Sequence, residues 1–422
     1  MPDFSKALQQ LRPRESPQRQ LFQADNPVAS LSRQLAFLKS RPVSSRLPEE
    51  PIQGIEEVTP LGRHLLIRNI FDAGHHHGSV RLNRLSPAEL QRFMNLMRGK
   101  GSVTDRGAVV FLDTETTGIQ GGTGMVPFLV GLGFLEDEDF HMVQYFIRDF
   151  DEEPSMLLAL GDLLHRFKLV VTYNGATFDV PLLETRFTLA RLDSPFTGMA
   201  HLDLLPGARR LWRNAHGSCR LSALEQKIVG FGRYGDIPGG LIPRAYFDYL
   251  QGRGSAAIAS VLRHNVDDVL SLAALTIRAC DRVTGEPAAF EDPLDLYSLA
   301  RILENSEDWN RALRLYEAAI QGDMPAPFSF KARESLLVLW RRSGKHERAL
   351  ELCEALMRES SFSLAAYEGA AIHHERVSGD LTRALEIVEE GIARLEGTAV
   401  PKRWTTALQT RRERLRQKVI RF

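Results

Sequence analysis

The sequence predicts an α/β domain with a mixed five-stranded sheet flanked by helices, followed by an all-α domain. Two observations carry this. Residues 107–283 read as three strands in succession and then as helix, strand, helix, strand, helix. Beyond about Pro293 the strand signals stop, and the tripeptide Arg-Ala-Leu recurs at 311–313, 348–350 and 383–385. A chain of 422 residues exceeds one typical core, so two or more domains are expected.

Residues 1–58 are rich in Pro, Arg, Ser and Gln and read as flexible or loosely attached chain, with one short helix expected at SRQLAFLKSRP. Residues 59–106 read as a lead-in packed on the following domain. HLLIRNIF there has strand character. SPAELQRFMNLM has helical spacing, with Ser86 as N-cap and Glu89 three residues on. In the 107–283 block, AVVFLD, PFLVGLGFLE and FHMVQYFIRDF are the three consecutive strands. EEPSMLLALGDLLHRF is helical, LVVTYNG a fourth strand and DVPLLETRFTLARL a second helix. HLDLL gives a fifth strand, RLSALEQKIVG a helix, and GSAAIASVLRHNVDDVLSLAALTIRACDRV one long helix.

In residues 293–422 the Arg-Ala-Leu offsets are 37 and 35 residues, close to the tetratricopeptide period of about 34. Ala312, Ala349 and Ala384 fit the small-residue slot of the second helix of such a unit. Tyr316, Cys353 and Val388 follow four residues later on the same face. A generic helical bundle is the plainer alternative, but tripeptide and period recur together and favour repeats. The segment from Lys402 to Arg421 carries eight basic residues and one acid. It reads as a capping helix with a solvated basic face, or as a nucleic-acid contact.

Composition bounds the function more loosely. Lys+Arg and Asp+Glu are both 53, so a net charge of zero gives no general signal for nucleic acid, although one basic groove would not show in the total. Cys219, Cys280 and Cys353 are scattered and odd in number, which opposes a disulfide framework or a zinc knuckle. Without an apolar segment at its start or one long enough to span a bilayer, the chain is expected to be cytoplasmic and without membrane contact.

Three motifs carry chemistry. In FLDTETTG a buried strand delivers Asp113 near its end, and alternation puts Glu115 on the same face. Like charges side by side call for a cation, and oxygen ligands suit a hard divalent ion. Alone, the motif is equally a strand entering a polar turn. In YNGATFDVPLL, Asp179 sits where a helix starts and reads alone as an N-cap. In HNVDDVLSL, His264 and Asp268 share a helix face that Val261, Leu272 and Leu275 turn toward the sheet, whereas Asp267 is rotated by roughly 100°. Asp268 is therefore the site acid, and Asp267 a solvated neighbour or a group that supports the site from behind. Without the nearby acids, His264 would read as a satisfied core histidine.

In the order found, the motifs converge on one end of the sheet. Four carboxylates can hold two divalent ions, Mg2+ or Mn2+, roughly 3.5–4 Å apart, which activate water and stabilise the leaving oxygen of a phosphodiester. His264 stands where it can orient or deprotonate that water.

DTETTG, NxxxFD and HxxxD resemble the three motifs of the DEDD, DnaQ-like 3′–5′ exonuclease superfamily, whose fold is ribonuclease H-like. The resemblance implies that Asp113, Glu115, Asp179 and Asp268 bind metal and that His264 is the fifth catalytic residue. In that superfamily the fifth residue is Tyr with three intervening residues or His with four; here it is His with three. SCRLSALEQKIVGFGRYGDIPGGLIPRAYFDYL and the HLLIRNIF…HHHG lead-in resemble the YprB-type ribonuclease H-like proteins, which can carry tetratricopeptide repeats. The implied function is metal-dependent hydrolysis of single-stranded DNA or RNA from the 3′ end. The alternative is a catalytically weak nucleic-acid-binding adaptor whose repeats hold a protein partner.

Other features have bland readings. His75, His76 and His77 read as a turn or surface cluster, since adjacent histidines cannot share one metal. Arg220 and Arg233 would contact phosphates or pair with Glu225 and Asp236, with pairing favoured. Phe178, Trp212 and Tyr234 would stack on bases or, more in keeping with isolated aromatics, pack in the core.

Overall fold

The apolar runs of the central region form the strands of one twisted sheet. The structure, a computed structural model, describes residues 52–118, 124–253, 255–396 and 401–421. The helix expected at SRQLAFLKSRP and most of the N-terminal segment lie outside these residues.

The strands are β1 (Ile55–Thr59), β2 (Gly62–Phe71), the short hairpin β3 (His76–His77) and β4 (Val80–Arg81), then β5 (Val109–Thr116), β6 (Pro127–Glu136), β7 (Asp139–Phe146), β8 (Leu169–Thr172) and β9 (Ala200–Asp203). The main sheet runs β1-β2-β7-β6-β5-β8-β9. β5, β6 and β7 form an antiparallel meander, and β8 and β9 add in parallel beyond β5. The expected count of five is corrected to seven, because β2 pairs antiparallel with β7 and β1 with β2. Residues 55–58, read as loosely attached, lie in that added edge. β1 carries an exposed Ile55 and Val58, and a half-polar edge strand gives little apolar signal.

The helices are α1 (Pro87–Leu96), α2 (Glu153–Leu164), α3 (Asp179–Leu189), α4 (Leu204–His216), α5 (Leu221–Leu224, continued by a π-helical turn to Val229), α6 (Ile242–Leu250) and α7 (Ser255–Thr284). Seven more follow: α8 (Pro293–Asn305), α9 (Trp309–Ala319), α10 (Ala326–Arg342), α11 (His346–Met357), α12 (Leu364–Arg376), α13 (Leu381–Leu395) and α14 (Lys402–Arg421). Ser86 caps α1 as expected, accepting the Glu89 amide. α4 and α6 were not anticipated. Pro206 and Gly207 lie at the start of α4, and both are poor helix formers. In the first helical turn, however, a proline removes an amide that has no partner anyway. Gly207 lets α4 close on α1, since a Cβ there would lie 2.7 Å from Phe93.

Alternation along β5 divides the core. Val109 and Phe111 face the layer of α7, α4 and α1, whereas Val110 and Leu112 face α2, α3 and α6. Asp113 and Glu115 continue the first of these faces. α7 can lie close to that face because the middle strand is bare beneath it. In register across three strands stand Asp113, Gly131 and Gln144, and one row down Phe111, Gly133 and Met142. A Cβ on Gly131 would sit 2.2 Å from Asn265 of α7, and one on Gly133 would sit 2.5 Å from Val269. The paired glycines of PFLVGLGFLE thus admit the helix that carries His264 and Asp268.

The described residues of the C-terminal region form helices joined by short turns, with no strand among them. Ala312, Ala349 and Ala384 are buried, as are Tyr316, Cys353 and Val388. α14 packs through Leu408 and Leu415, and part of its basic face is neutralised internally. Lys418 Nζ lies 2.6 Å from Glu375, Arg411 and Arg414 approach the same carboxylate, and Arg416 pairs with Glu389 at 2.6 Å. No helix among the described residues is long and apolar enough to cross a membrane.

Candidate metal centre

The sheet delivers the acids to one end of β5. Asp113 and Glu115 leave β5 on the α7 side, and α7 supplies His264, Asn265 and Asp268 from above. One ligand atom from each of Glu115, His264 and Asp268 lies within 4.8 Å of the others. His264 Nε2 is 3.9 Å from Glu115 Oε1 and 3.5 Å from Asp268 Oδ2. Asp113 stands beside them, its Oδ2 accepting a 2.8 Å hydrogen bond from Asn265 Nδ2. Asn265 is itself fixed by Gln144, whose Nε2 donates to Asn265 Oδ1 at 2.9 Å. Asp179, at the start of α3, accepts from the Thr114 hydroxyl and is not a member of the close group. Asp267 is half-buried, and it too stands apart from that group.

Electrostatics ties the acids together more widely than contact does. Burial, then the charges of Asp268, Glu115 and Asp179, push the Asp113 carboxyl well above the usual range. Burial, then Asp268 and Asp179, do the same to Glu115. Burial raises Asp179 to about 6, against the opposing hydrogen bond from Thr114. Such a group of buried acids is costly without a cation, and oxygen donors around one imidazole suit a hard divalent ion. The residues present therefore fit a divalent metal.

A protein cation already sits there. Arg233, in the turn after α5, contacts Asp268 and makes a forked pair with Glu225, with both bonds at 2.7 Å. Its Nη1 lies 3.2 Å from Asp236. The expected pairing with Glu225 and Asp236 is present, and Asp268 is the partner the sequence did not reveal. Burial opposes the Arg233 charge, yet its hydrogen bonds to Glu225 and the attraction of Asp268 raise the guanidinium above its ordinary value. Asp236 also lies 2.8 Å from His264 Nδ1, which turns Nε2 toward Glu115 and Asp268.

The network reaches the N-terminal lead-in. Ser271 of α7 donates to Glu225 Oε2 at 2.6 Å and accepts from His77 Nε2 at 2.8 Å. The reading of His75–His77 as a surface cluster is corrected for His77, which is buried against Phe231 with ring centroids 4.0 Å apart. His76 is exposed. Burial, then the charges of His75 and Arg233, push the His77 imidazole down to about 3. A folded-state value below the ordinary 6.5 gives stability that is present above pH 6.5 and is lost as the pH falls toward 3. Each pH unit in that window is worth about 1.4 kcal/mol. Between pH 6.5 and 5 this one group should therefore cost the wild type about 2 kcal/mol. His77→Gln, which keeps a donor for Ser271 but cannot titrate, should flatten that part of the denaturation profile. An unchanged slope in urea unfolding would exclude the assignment.

Of the aromatics considered for stacking, Trp212 is buried in the core as expected, and Phe178 is half-buried. Tyr234 is 97% exposed, so the expectation of core packing is corrected there. It follows Arg233 in a glycine-rich turn, which leaves no neighbouring element to cover it.

The family comparison agrees with this architecture. Residues 110–280 match the RNase H superfamily. The chain is 29% identical over 366 residues to a Bacillus subtilis (strain 168) protein described as uncharacterized protein YprB, covering 84% of this chain and 86% of that one. The family B DNA polymerase of the hyperthermophilic archaeon Pyrobaculum calidifontis matches at 15% identity and a TM-score of 0.34. That match spans 58% of this chain and 30% of the polymerase. The strand order, the mixed sheet and the superfamily match make the α/β part of this chain, at residues 110–280, a ribonuclease H-like domain.

Proposed function

We propose that this protein is a metal-dependent nuclease hydrolysing phosphodiester bonds, acting as a 3′–5′ exonuclease on single-stranded DNA or RNA. The observation that carries the reading is the close group of Glu115, His264 and Asp268, with Asp113 beside it and Asp179 within electrostatic reach, in a ribonuclease H-like domain. In this reading the four acids hold two divalent ions, Mg2+ or Mn2+. When bound, such ions supply charge neutralisation to the scissile phosphate and acidity to water.

The chain's own residues do the rest. Asn265 and Gln144 hold the Asp113 carboxylate in one orientation. Asp236 holds His264 by Nδ1, leaving Nε2 on the acid side to take a proton from the attacking water. The contact of Arg233 with Asp268 offsets part of the site's negative charge before metal and substrate arrive. Exposed Tyr234 offers a face on which a terminal base can stack. We further read residues 293–422 as tetratricopeptide-like pairs, α8/α9, α10/α11 and α12/α13, closed by α14 and able to hold a protein partner. Residues 107–283 are taken as the nuclease domain, with 59–106 as its packed lead-in.

The test is degradation of 5′-labelled single-stranded DNA and RNA with Mg2+ or Mn2+, alongside a covalently closed circle. The reading expects a ladder shortening from the 3′ end, an intact circle and full inhibition by EDTA. A circle that is cut would replace exonuclease by endonuclease action. Absence of any metal-dependent cleavage would leave the adaptor reading.

A further inference from the structure

A cleft opens on the side of the sheet that also carries Asp113 and Glu115. Its volume is about 440 Å3, and its lining includes Tyr173, Asn174, Arg209, Arg213 and Arg220. Tyr173 directly follows β8. Carrying the β5/β8 register two residues beyond Phe111↔Val171 sets Tyr173 next to Asp113. The cleft therefore starts one strand away from the candidate metal centre.

The three arginines are exposed. Among the described residues, none of them makes an ion pair or a side-chain hydrogen bond. Arg209 and Arg213 are four residues apart on α4 and share one face, about 6 Å apart along the helix axis. Arg220 borders the same space from the turn before α5. Asp203, at the end of β9, makes no ion pair with them among the described residues; its carboxylate accepts from backbone amides instead. Oδ1 accepts from Asn174 at 2.8 Å and Leu205 at 3.0 Å, and Oδ2 from Ala176 at 3.3 Å. That brace holds Asn174 in a left-handed conformation (φ 69°), which fixes the loop joining β8 to Asp179 as one wall of the cleft.

We propose that this cleft binds the phosphodiester backbone of the single strand whose end enters the acid site. The inference rests on the nuclease reading and specifies where the strand lies. Unpaired guanidiniums in a row match the spaced negative charges of a nucleic-acid backbone and read no sequence. They also place a positive groove in a chain whose total charge is zero. The structural pairing expected for Arg220 holds for Arg233 and not for Arg220.

The experiment separates binding from cutting. Fluorescence anisotropy of short 5′-fluorescein-labelled single-stranded DNA and RNA is followed in EDTA over a range of salt. The proteins are wild type, Arg209→Glu/Arg213→Glu, Arg209→Lys/Arg213→Lys, and a control double reversal far away in the helical region, Lys331→Glu/Arg358→Glu. All four substituted positions are exposed, so melting temperatures should agree. The expected result is a Kd at least tenfold higher for the Glu pair at low salt. The slope of log K against log salt should be shallower by about 1.4, two contacts at about 0.7 each. The Lys pair should bind nearly as wild type, and the control within about twofold, as a charge far from the cleft is screened at ordinary salt.

Three outcomes would overturn the cleft: no binding by wild type, an unchanged Kd and slope in the Glu pair, or an equal loss in the control. Cleavage assays on the same proteins keep the two readings apart. Wild type that binds through the cleft but never cuts would sink the nuclease reading and spare the cleft. A Glu pair that cuts with unchanged KM would sink the cleft and spare the nuclease.

Discussion

Asp113→Asn should abolish metal-dependent cleavage while leaving the metal-free protein at least as stable as wild type. Burial and the charges of Asp268, Glu115 and Asp179 raise the Asp113 carboxyl well above the ordinary 3.8. The contribution of such a group to stability is fully present below its unfolded value and is lost as the pH rises through the raised folded value. At pH 7 a buried carboxylate therefore opposes folding, and an amide of the same shape does not. The amide also keeps a partner for Asn265, which holds Oδ2 at 2.8 Å. The loss in rate should be about a thousandfold or more, about 4 kcal/mol of barrier. That exceeds the about 10–100-fold typical of losing a group that only supports a ligand. Thermal melts in EDTA and in Mn2+ read the rest. Added Mn2+ should raise the melting temperature of the wild type and leave that of Asp113→Asn nearly unmoved. A variant that cuts at the wild-type rate, or that melts well below wild type in EDTA, contradicts this assignment.

The residues that make this site fall into two kinds, and the sequence reveals only one of them. Asp113 and Glu115 were legible because a strand has a period of two and the run before them is apolar enough to fix their face. Helical phase was enough to prefer Asp268 to Asp267, and it is Asp268 that lies with Glu115 and His264. Both inferences use a period within one element. Asn265, Gln144 and Gly131 escaped because their roles exist only across elements. Each is unremarkable in its own segment, and only the register Asp113↔Gly131↔Gln144 shows why the middle position is bare and what descends into the gap.

The N-terminal lead-in shows the same limit from another side. β2 was legible from HLLIRNIF, but its place in the main sheet depends on pairing with β7, some seventy residues away. The buried state of His77 depends on Ser271 and Phe231. Local composition favoured a turn, and a tertiary contact decided otherwise. Arg233 is the most consequential case, because its pairing with Glu225 and Asp236 could be anticipated from proximity in sequence, whereas its contact with Asp268 could not.

Arg233→Met should destabilise the metal-free protein by about 3–5 kcal/mol, the usual cost of removing one partner from a buried ion group. The guanidinium is only 8% exposed and serves Glu225, itself 2% exposed, together with Asp236 and Asp268. Methionine fills the volume but leaves those carboxylates facing one another. Lysine should not restore the wild type, since a single ammonium cannot keep the forked pair with Glu225 and also reach Asp268. Two further measurements distinguish charge from packing. Mn2+ should recover part of the lost stability, because a divalent ion at Asp268 and Glu115 replaces some of the missing positive charge. Adding Glu225→Gln to Arg233→Met should also recover stability, because it removes the most deeply buried of the stranded charges. If both additions leave the unfolding midpoint where Arg233→Met alone put it, the loss came from packing and Arg233 is not the cation that holds this site together. If Arg233→Met unfolds at the wild-type midpoint in EDTA, the acids carry no uncompensated charge in the folded state, and the argument that they require a cation fails with it.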